Sequence, residues 1–537
     1  MKTTYEHFGV MVDASRNAVM KVEQLKHLID CLAKMGYNTL ELYTEDTFEV
    51  DGEPYFGYMR GRYTSAELKE IDAYAKDRGI EVIPCIQTLA HFTNLVRHRV
   101  YDEIVDTDDI LLIDEPKTYV FIEKLFATLA ENFTSRNVNI GMDEAHRVGL
   151  GKYLNKHGFT DRSKLLVRHL EKVAEIAKKY GFSTHMWSDM FFRLASGGAY
   201  DVSDKEIPEE IRKMLPENVE LTYWDYYHQQ KAHYDKMIKA HYAFGKNIWF
   251  AGGAWSWLGF APLTEFSLRT MKPAMESVVE HGVKNVIMTM WGDNGAECSY
   301  FSLLPSLYAI RQFADGNFDM QKIQRDFDAL FGLKFADFML LDLPNKLHVG
   351  DTLEWQNNPA KALLYADPFM GIFDIAVKNQ MPLDYGKYVE ILKKAQNGAG
   401  RYAYIFDCLA KLCAVLDKKA ELGVKTRAAY RAGDKAALQG CADDCREAVK
   451  RLDVFHDAFY LLWNKENKPF GWEVQDMRLG GLKQRLQTCA KRLDGYIKGD
   501  TDKIDELEQD ILPYGDGQQI VHNQHTQLVS WGTVCGV

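Results

Sequence analysis

The chain's sharpest chemical feature is a pair of adjacent acids, Asp143 and Glu144, that follows the apolar run Val138-Asn139-Ile140-Gly141-Met142. Carboxyl groups held beside a substrate can donate and accept protons. Neighbouring side chains within a strand point to opposite faces. The two acids can therefore serve one substrate only past the strand, where the backbone turns after Gly141. The plainer alternative is an acid pair at a helix N-terminus, where the dipole favours negative charge. Seven other apolar runs also end in acids, His or aromatic residues, which favours the chemical reading. These ends are Asp13-Ala14-Ser15-Arg16, Tyr43-Thr44-Glu45-Asp46, the stretch from Gln87 to His91, Trp187-Ser188-Asp189, Trp224-Asp225-Tyr226-Tyr227-His228, Ala254-Trp255-Ser256-Trp257 and Trp291-Gly292-Asp293-Asn294. Trp and Tyr rings offer flat faces on which a pyranose can pack, although most aromatic residues in any chain fill core.

The elements that must position these residues are eight short apolar runs, at 8–12, 39–43, 80–84, 138–142, 183–187, 220–224, 247–250 and 285–291. Amphipathic helical stretches lie between most of them, including 22–35, 65–78, 163–180 and 265–281. Each of these four runs directly into a glycine, Gly36, Gly79, Gly181 or Gly282, which is the expected chemistry of a helix end before a strand. Eight βα units in about 300 residues predict an α/β fold, a (β/α)8 TIM barrel, with its active site at the C-terminal ends of the strands. No dinucleotide fingerprint or P-loop supports an open nucleotide-binding sheet. Beyond residue 300 helical periodicity dominates, at 303–313, 391–416, 435–462 and 479–497. The division expected is a catalytic barrel over 1–318 and an α-helical C-terminal domain over 319–537.

Bulk properties exclude several function classes. A net charge of −11 without any basic stripe argues against nucleic-acid binding. No apolar run approaches the length of a membrane span, and the first seven residues lack the apolar core of a signal peptide, so a cytoplasmic location is expected. The nine Cys residues are scattered, and Cys441 with Cys445 reads as two buried thiols on one helix. His91 and His146 with Asp143 do not have the spacing of a metal site, so neither a metal nor another cofactor is expected. His91 is read instead as support for the acid pair, and His228 and His233 as surface residues.

The order Asn139, Gly141, Asp143, Glu144 resembles the signature of glycoside hydrolase family 20: a His or Asn, any residue, Gly, a small or apolar residue, then Asp-Glu. Asp13-Ala14-Ser15-Arg16, the segment from Ile83-Pro84 to His91, Trp187 and Trp291 are similar to the corresponding parts of family barrels. The likeness covers about residues 8 to 310. The stretches Asn358-Pro359-Ala360-Lys361-Ala362-Leu363-Leu364-Tyr365 and Pro469-Phe470-Gly471-Trp472-Glu473-Val474-Gln475-Asp476 resemble the branch with a C-terminal helical domain. The small α/β domain that commonly precedes the barrel is expected to be missing, since strand one begins at residue 8. One departure stands out. Many members carry an Arg before the strand-one Gly to grip hydroxyls of the terminal sugar, and here that position is Phe8. Arg16, or the acids Glu45 and Asp46, would have to take over.

The resemblance implies an exo-acting retaining β-N-acetylhexosaminidase that uses the substrate's own acetamido group as nucleophile. Glu144 would be the proton donor, and Asp143 would orient the acetamido N–H. Tyr226 or Tyr227 would bond the acetamido oxygen. Trp187, Trp255, Trp257 and Trp291 would wall the pocket, and Arg16, Glu45, His91, Asp225 and Asp293 complete the expected sugar-binding set. The expected partner is a small oligosaccharide or glycoconjugate ending in N-acetylhexosamine. The helical domain is the expected place for a homodimer interface, and Trp472 a residue it would lend to a pocket. A chitinase-like endo-enzyme would carry an Asp-x-x-Asp-x-Asp-x-Glu run, which is absent. A catalytically silent sugar-binding barrel would have lost one acid, and both are present. A helical interaction scaffold would leave the polar strand ends unexplained.

Overall fold

The computed structural model describes residues 5–202, 206–522 and 524–532, organised as two compact units. The described residues of Met1–Ala254, Ser267–Trp291 and Leu307–Asp319 form the first; those of Trp255–Phe266, Gly292–Ser306 and Met320–Val537 form the second.

The first unit is a closed barrel of eight parallel strands in sequential order. They are β1 His7–Asp13, β2 Thr39–Tyr43, β3 Glu81–Cys85, β4 Asn137–Asn139, β5 Ser183–Trp187, β6 Val219–Trp224, β7 Ile248–Gly253 and β8 Asn285–Met290. Closure is made by β1 against β8, with Phe8 opposite Val286 and Val12 opposite Met290. Helices follow the strands as their periodicity requires. The helix Val22–Met35 buries Leu25, Leu28, Ile29 and Leu32, a 3–4 spacing that makes one apolar stripe. It stops at Gly36, whose φ of 85° suits glycine. There the amides of Gly36 and Tyr37 bond back to the carbonyls of Ala33 and Leu32, satisfying the helix's last acceptors.

Two strands depart from their apolar runs by three residues: β7 continues to Gly253 where the run stops at 250, and β4 stops short. Strand β4 ends at Asn139, not at Met142, because Gly141 and Met142 have φ values of 71° and 70° and a left-handed backbone cannot continue a strand. Phe8, at the position of the missing Arg, is buried against Tyr5 and Tyr37.

The second unit is built chiefly of helices, the longest being Lys435–Glu466 and Trp472–Lys498. The first of these buries Leu438, Cys441, Cys445, Leu452, Phe455, Phe459 and Trp463 along one face, so Cys441 and Cys445 are core thiols. Trp472 is itself buried, with its ring 5.2 Å from that of Phe459 and 6.0 Å from Trp463. The stretch 391–416 is not one helix. Tyr385–Gln396 and Ala403–Lys419 are separated at Asn397-Gly398-Ala399-Gly400, where Gly400 takes a φ of 53°.

Side-chain bonds explain why two short stretches belong to this unit. Asn358 donates to the Leu258 carbonyl at 2.6 Å, and Asp342 accepts from the amides of Thr264 and Glu265 at 2.9 and 2.8 Å. Glu297 is buried between Lys361 at 2.9 Å and Arg478 at 3.0 Å. A buried carboxylate needs such partners.

Candidate active site

The site is built on the turn after β4. The Asn139 side-chain oxygen accepts from the Gly141 amide at 3.0 Å, which starts the turn as soon as the strand ends. A Cβ on Gly141 would lie 2.2 Å from Gln87 Oε1 and 2.7 Å from the Ile86 carbonyl oxygen. Position 141 thus lacks both the space and the backbone conformation for a side chain. Gly141→Ala is expected to lower stability by at least about 1–2 kcal/mol and to displace the acids; urea unfolding at unchanged m-value checks it, and a variant within about 0.5 kcal/mol of wild type would refute the constraint.

Left-handed backbone continues through the site, at Met142 and at Glu144, whose φ is 51°. Glu45 and His91 share it, at 44° and 62°. Strain of this kind persists only where the surroundings over-determine it, and here they do. The Met142 amide donates to Gln87 Oε1 at 3.1 Å, and the Glu144 amide to Asp189 Oδ2 at 3.1 Å. The turn brings both acids to one imidazole: His91 Nε2 lies 3.0 Å from Asp143 Oδ2 and 3.8 Å from Glu144 Oε2.

A hydrogen-bonded chain runs from Asp143 across the barrel mouth. Gln87 Nε2 donates to Asp143 Oδ1 at 2.8 Å and to the Tyr43 hydroxyl at 3.0 Å, and that hydroxyl donates to Glu45 Oε1 at 2.9 Å. Arg16 closes the chain. Its guanidinium lies 3.3 Å from Asp13 Oδ2 and 3.6 Å from Glu45 Oε1. It also lies 4.8 Å from the ring centroids of both Tyr43 and Trp291, within cation–π range. Trp291 meets Tyr43 edge-on at 4.9 Å and Trp187 at 5.9 Å. Arg16, Glu45, His91, Trp187 and Trp291 are thus brought together with the acid pair. Asp46 pairs with Arg60 instead, at 3.1 Å.

Electrostatics give the acids different characters. Burial pushes the Asp143 carboxyl up, but the His91 charge and hydrogen bond, then Gln87 and Arg16, outweigh it and hold Asp143 below its usual value. Glu144 has a half-exposed side chain. Behind it, burial and the Asp143 charge push Asp189 up to about 7. Burial pulls His91 down, yet Asp143 more than compensates, raising it from 6.5 to about 9. The folded protein therefore holds this proton more tightly than the unfolded chain. The stabilisation is complete below pH 6.5 and is lost as pH rises through about 9. His91→Gln is expected to flatten the fall in Tm across that window. Parallel Tm profiles for variant and wild type would remove His91 as a cation.

Asp225, Tyr226 and Tyr227 belong to a second cluster, at the end of β6. Asp225 Oδ1 accepts from the amides of Tyr227 and His228, at 3.0 and 3.3 Å. Its Oδ2 lies 2.8 Å from both the Tyr223 hydroxyl and His228 Nδ1, and 3.2 Å from His233 Nε2. Tyr226 is buried with its ring stacked on Trp224 at 5.7 Å, while Tyr227 is exposed. His233, expected at the surface, is drawn inward by this carboxylate and His228 is half-buried beside it. Trp255, Trp257 and Asp293 lie in the second unit. The two Trp rings are buried and stacked at 4.0 Å, and the Asp293 charge acts on Lys361.

Sequence reasoning assigned no role to Gln87, Tyr43 or Asp189. All three stand at strand ends it had marked as polar, but a neutral amide and a Tyr on a strand carry no local sign of the acid they hold.

Comparison with known proteins places the chain. The sequence model described as the catalytic domain of glycosyl hydrolase family 20 matches residues 5–244. That of the Glycoside Hydrolase 20C C-terminal domain matches residues 336–526. A β-hexosaminidase of Akkermansia muciniphila is 28% identical over 176 residues, covering 27% of this chain and 35% of the relative. Hexosaminidase D of Bos taurus is 25% identical over 223 residues, covering 39% and 60%. The chain thus spans about a third to three-fifths of the length of these relatives. The solved GH20 β-N-acetylhexosaminidase of Streptomyces coelicolor A3(2) is 19% identical, with a TM-score of 0.46 over 61% of this chain and 68% of that one. With both domain types matched in order along most of its length, the chain belongs to glycoside hydrolase family 20.

Proposed function

We propose that this protein is an exo-acting retaining β-N-acetylhexosaminidase that removes terminal β-linked GlcNAc or GalNAc by substrate-assisted catalysis. One observation carries the reading. Adjacent acids on a left-handed turn converge on His91, with Asp143 held ionised and buried while Glu144 stays accessible. Most retaining glycosidases separate an acid and a nucleophile by about 5–5.5 Å across the scissile bond, whereas family 20 lets the substrate supply the nucleophile. A neighbouring pair suits that second design.

In the proposed reaction Glu144 protonates the glycosidic oxygen as the acetamido carbonyl oxygen attacks C1, expelling the aglycone. Asp143 accepts a hydrogen bond from the acetamido N–H and offsets the positive charge that develops on the oxazolinium ring. Glu144, now a carboxylate, takes a proton from the water that attacks C1, which reopens the ring with the β configuration retained. Both Asp143 oxygens already accept one protein bond, and a carboxylate oxygen has a second lone pair free for substrate. Trp187 and Trp291 furnish the apolar wall, and Arg16 with Glu45 the polar contacts to hydroxyls.

The test is turnover of p-nitrophenyl β-GlcNAc and β-GalNAc against the plain β-glucoside, with the first-formed anomer read by proton NMR. Hydrolysis of the acetamido sugars alone, releasing the β-anomer, is expected. Equal turnover of the glucoside would overturn the acetamido nucleophile, and an α-anomer would overturn retention.

A further inference from the structure

The second unit contains a cavity made by stretches that are distant in sequence. Its volume is about 350 Å3, and it is lined by residues between Asn345 and Pro359, by Gln380, and by Gln518 to Ile520. Trp355 stands in its wall with 65% of its surface exposed, whereas Trp463 and Trp472 of the same unit are buried. Leu353, two residues before it, is buried and holds this segment from the inside. Among the described residues the Trp355 indole meets no other ring, and its N–H has no acceptor. A large flat apolar surface is thus presented to the cavity by a segment that is itself anchored.

The polar part of the lining is neutral where it is free. Lys346 Nζ lies 2.8 Å from Glu265 Oε2, and Asp351 Oδ2 accepts from the amides of Leu347 and His348 at 3.2 and 2.8 Å. The side chains of Thr352, Asn357, Gln380, Gln518 and Gln519 make no hydrogen bond to any described residue. Each of these five carries both a donor and an acceptor. The backbone beneath them is fixed. Asn358 donates to the carbonyls of Leu258 and His522, both at 2.6 Å, and accepts from the His522 amide at 3.0 Å. That staples the segment bearing Asn357 to the one that follows Gln519. Asp516 Oδ1 accepts from the amides of Gln518 and Gln519, at 2.9 and 3.4 Å, and sets the turn that carries both side chains.

We propose that this cavity is a second sugar-binding site, taking an uncharged N-acetylhexosamine oligosaccharide with one ring packed on Trp355. The C–H face of a pyranose is flat and apolar and packs on an indole. Its rim of hydroxyls both donates and accepts, which matches side-chain amides that do the same. An ionic ligand would need an unpaired charge in the lining, and an apolar one would leave the amides it covers without partners, which is costly. The volume also falls within the range of small-molecule sites, about 300–1,000 Å3. The choice of an acetamido sugar rests on the hexosaminidase reading; the cavity's own residues call for an uncharged, hydroxyl-rich ligand. None of them belongs to the set gathered around Asp143 and Glu144.

The test uses the full-length chain carrying Glu144→Gln, so that the probe, the β-1,4-linked tetramer of GlcNAc, is not consumed. Calorimetry counts the sites, and NMR of the tryptophan indole N–H groups reads Trp355 directly, its signal being the one missing from Trp355→Phe. Two sites per chain are expected, with a saturable shift of the Trp355 signal. Trp355→Ala should weaken one site at least about tenfold and leave the other. Gln380→Ala and Gln518→Ala should each weaken that same site about 3–10-fold. Its affinity should hold through a roughly tenfold rise in salt, because no charge is used. The NMR arm keeps position 355 intact and so does not depend on the folding of an alanine variant. A Trp355 signal unmoved by the tetramer, a second site that survives Trp355→Ala, or a steep loss with salt would each overturn the assignment. A Trp355 shift in a protein whose wild type hydrolyses no acetamido sugar would overturn the proposed reaction and leave this site standing.

Discussion

Glu144→Gln is expected to lower kcat for a β-GlcNAc-terminated oligosaccharide by about 10²–10⁴-fold, the range a positioned general acid supplies. The substitution is nearly isosteric. The backbone amide of residue 144 still donates to Asp189, so the turn should hold and Tm should move little. The size of the loss should depend on the leaving group. p-Nitrophenolate departs without much help from a proton, so bond cleavage in the p-nitrophenyl glycoside survives better than in a sugar–sugar linkage. The later step does not escape, because water attack on the oxazolinium needs the same carboxylate as base. The variant should therefore show a larger deficit on the oligosaccharide than on the aryl glycoside, with KM falling on the latter as the intermediate accumulates. A loss below tenfold on both substrates would remove Glu144 as the acid.

Much of this site was legible in the sequence, because the signals are local. An Asn that bonds the amide two residues on, a Gly that must adopt positive φ, and two acids directly after it are neighbours in the chain. The eight strands were legible for a related reason. Each is a short apolar run, and after four of the helices a glycine marks where the next strand is entered. What escaped depends on partners far away in sequence. Gln87 matters because it reaches Asp143, 56 residues on. His228 and His233 looked like surface residues because their attraction to Asp225 depends on how the segment after β6 turns. Trp255–Phe266 and Gly292–Ser306 follow barrel strands in the chain. They join the helical unit through Asn358, Asp342, Lys361 and Arg478, tens to hundreds of residues away. Even the break in 391–416 had a local sign, two glycines in four residues, which the helical periodicity on both sides outweighed.

Asp143→Asn is the second large effect, and it separates charge from shape. Asn fills the same volume and its side-chain oxygen can still accept from Gln87. It cannot carry the negative charge that offsets the oxazolinium, and its amide can turn a donor toward His91. The loss of one preorganised electrostatic partner commonly costs about 10²–10³-fold in kcat, and that drop is expected here for the acetamido substrates. KM should change far less, since the charge it answers develops only after binding. A second consequence follows from the pairing. His91 is raised to about 9 because Asp143 more than offsets its burial, so in the variant, with burial largely unopposed, its imidazole should titrate well below that. NMR of the labelled imidazole in both proteins reads that shift directly, whether or not the variant turns over substrate. A variant with kcat within threefold of wild type would reject Asp143 as the charge partner. An unmoved His91 titration would reject the ion pair, and with it the account of why this carboxyl stays ionised while buried.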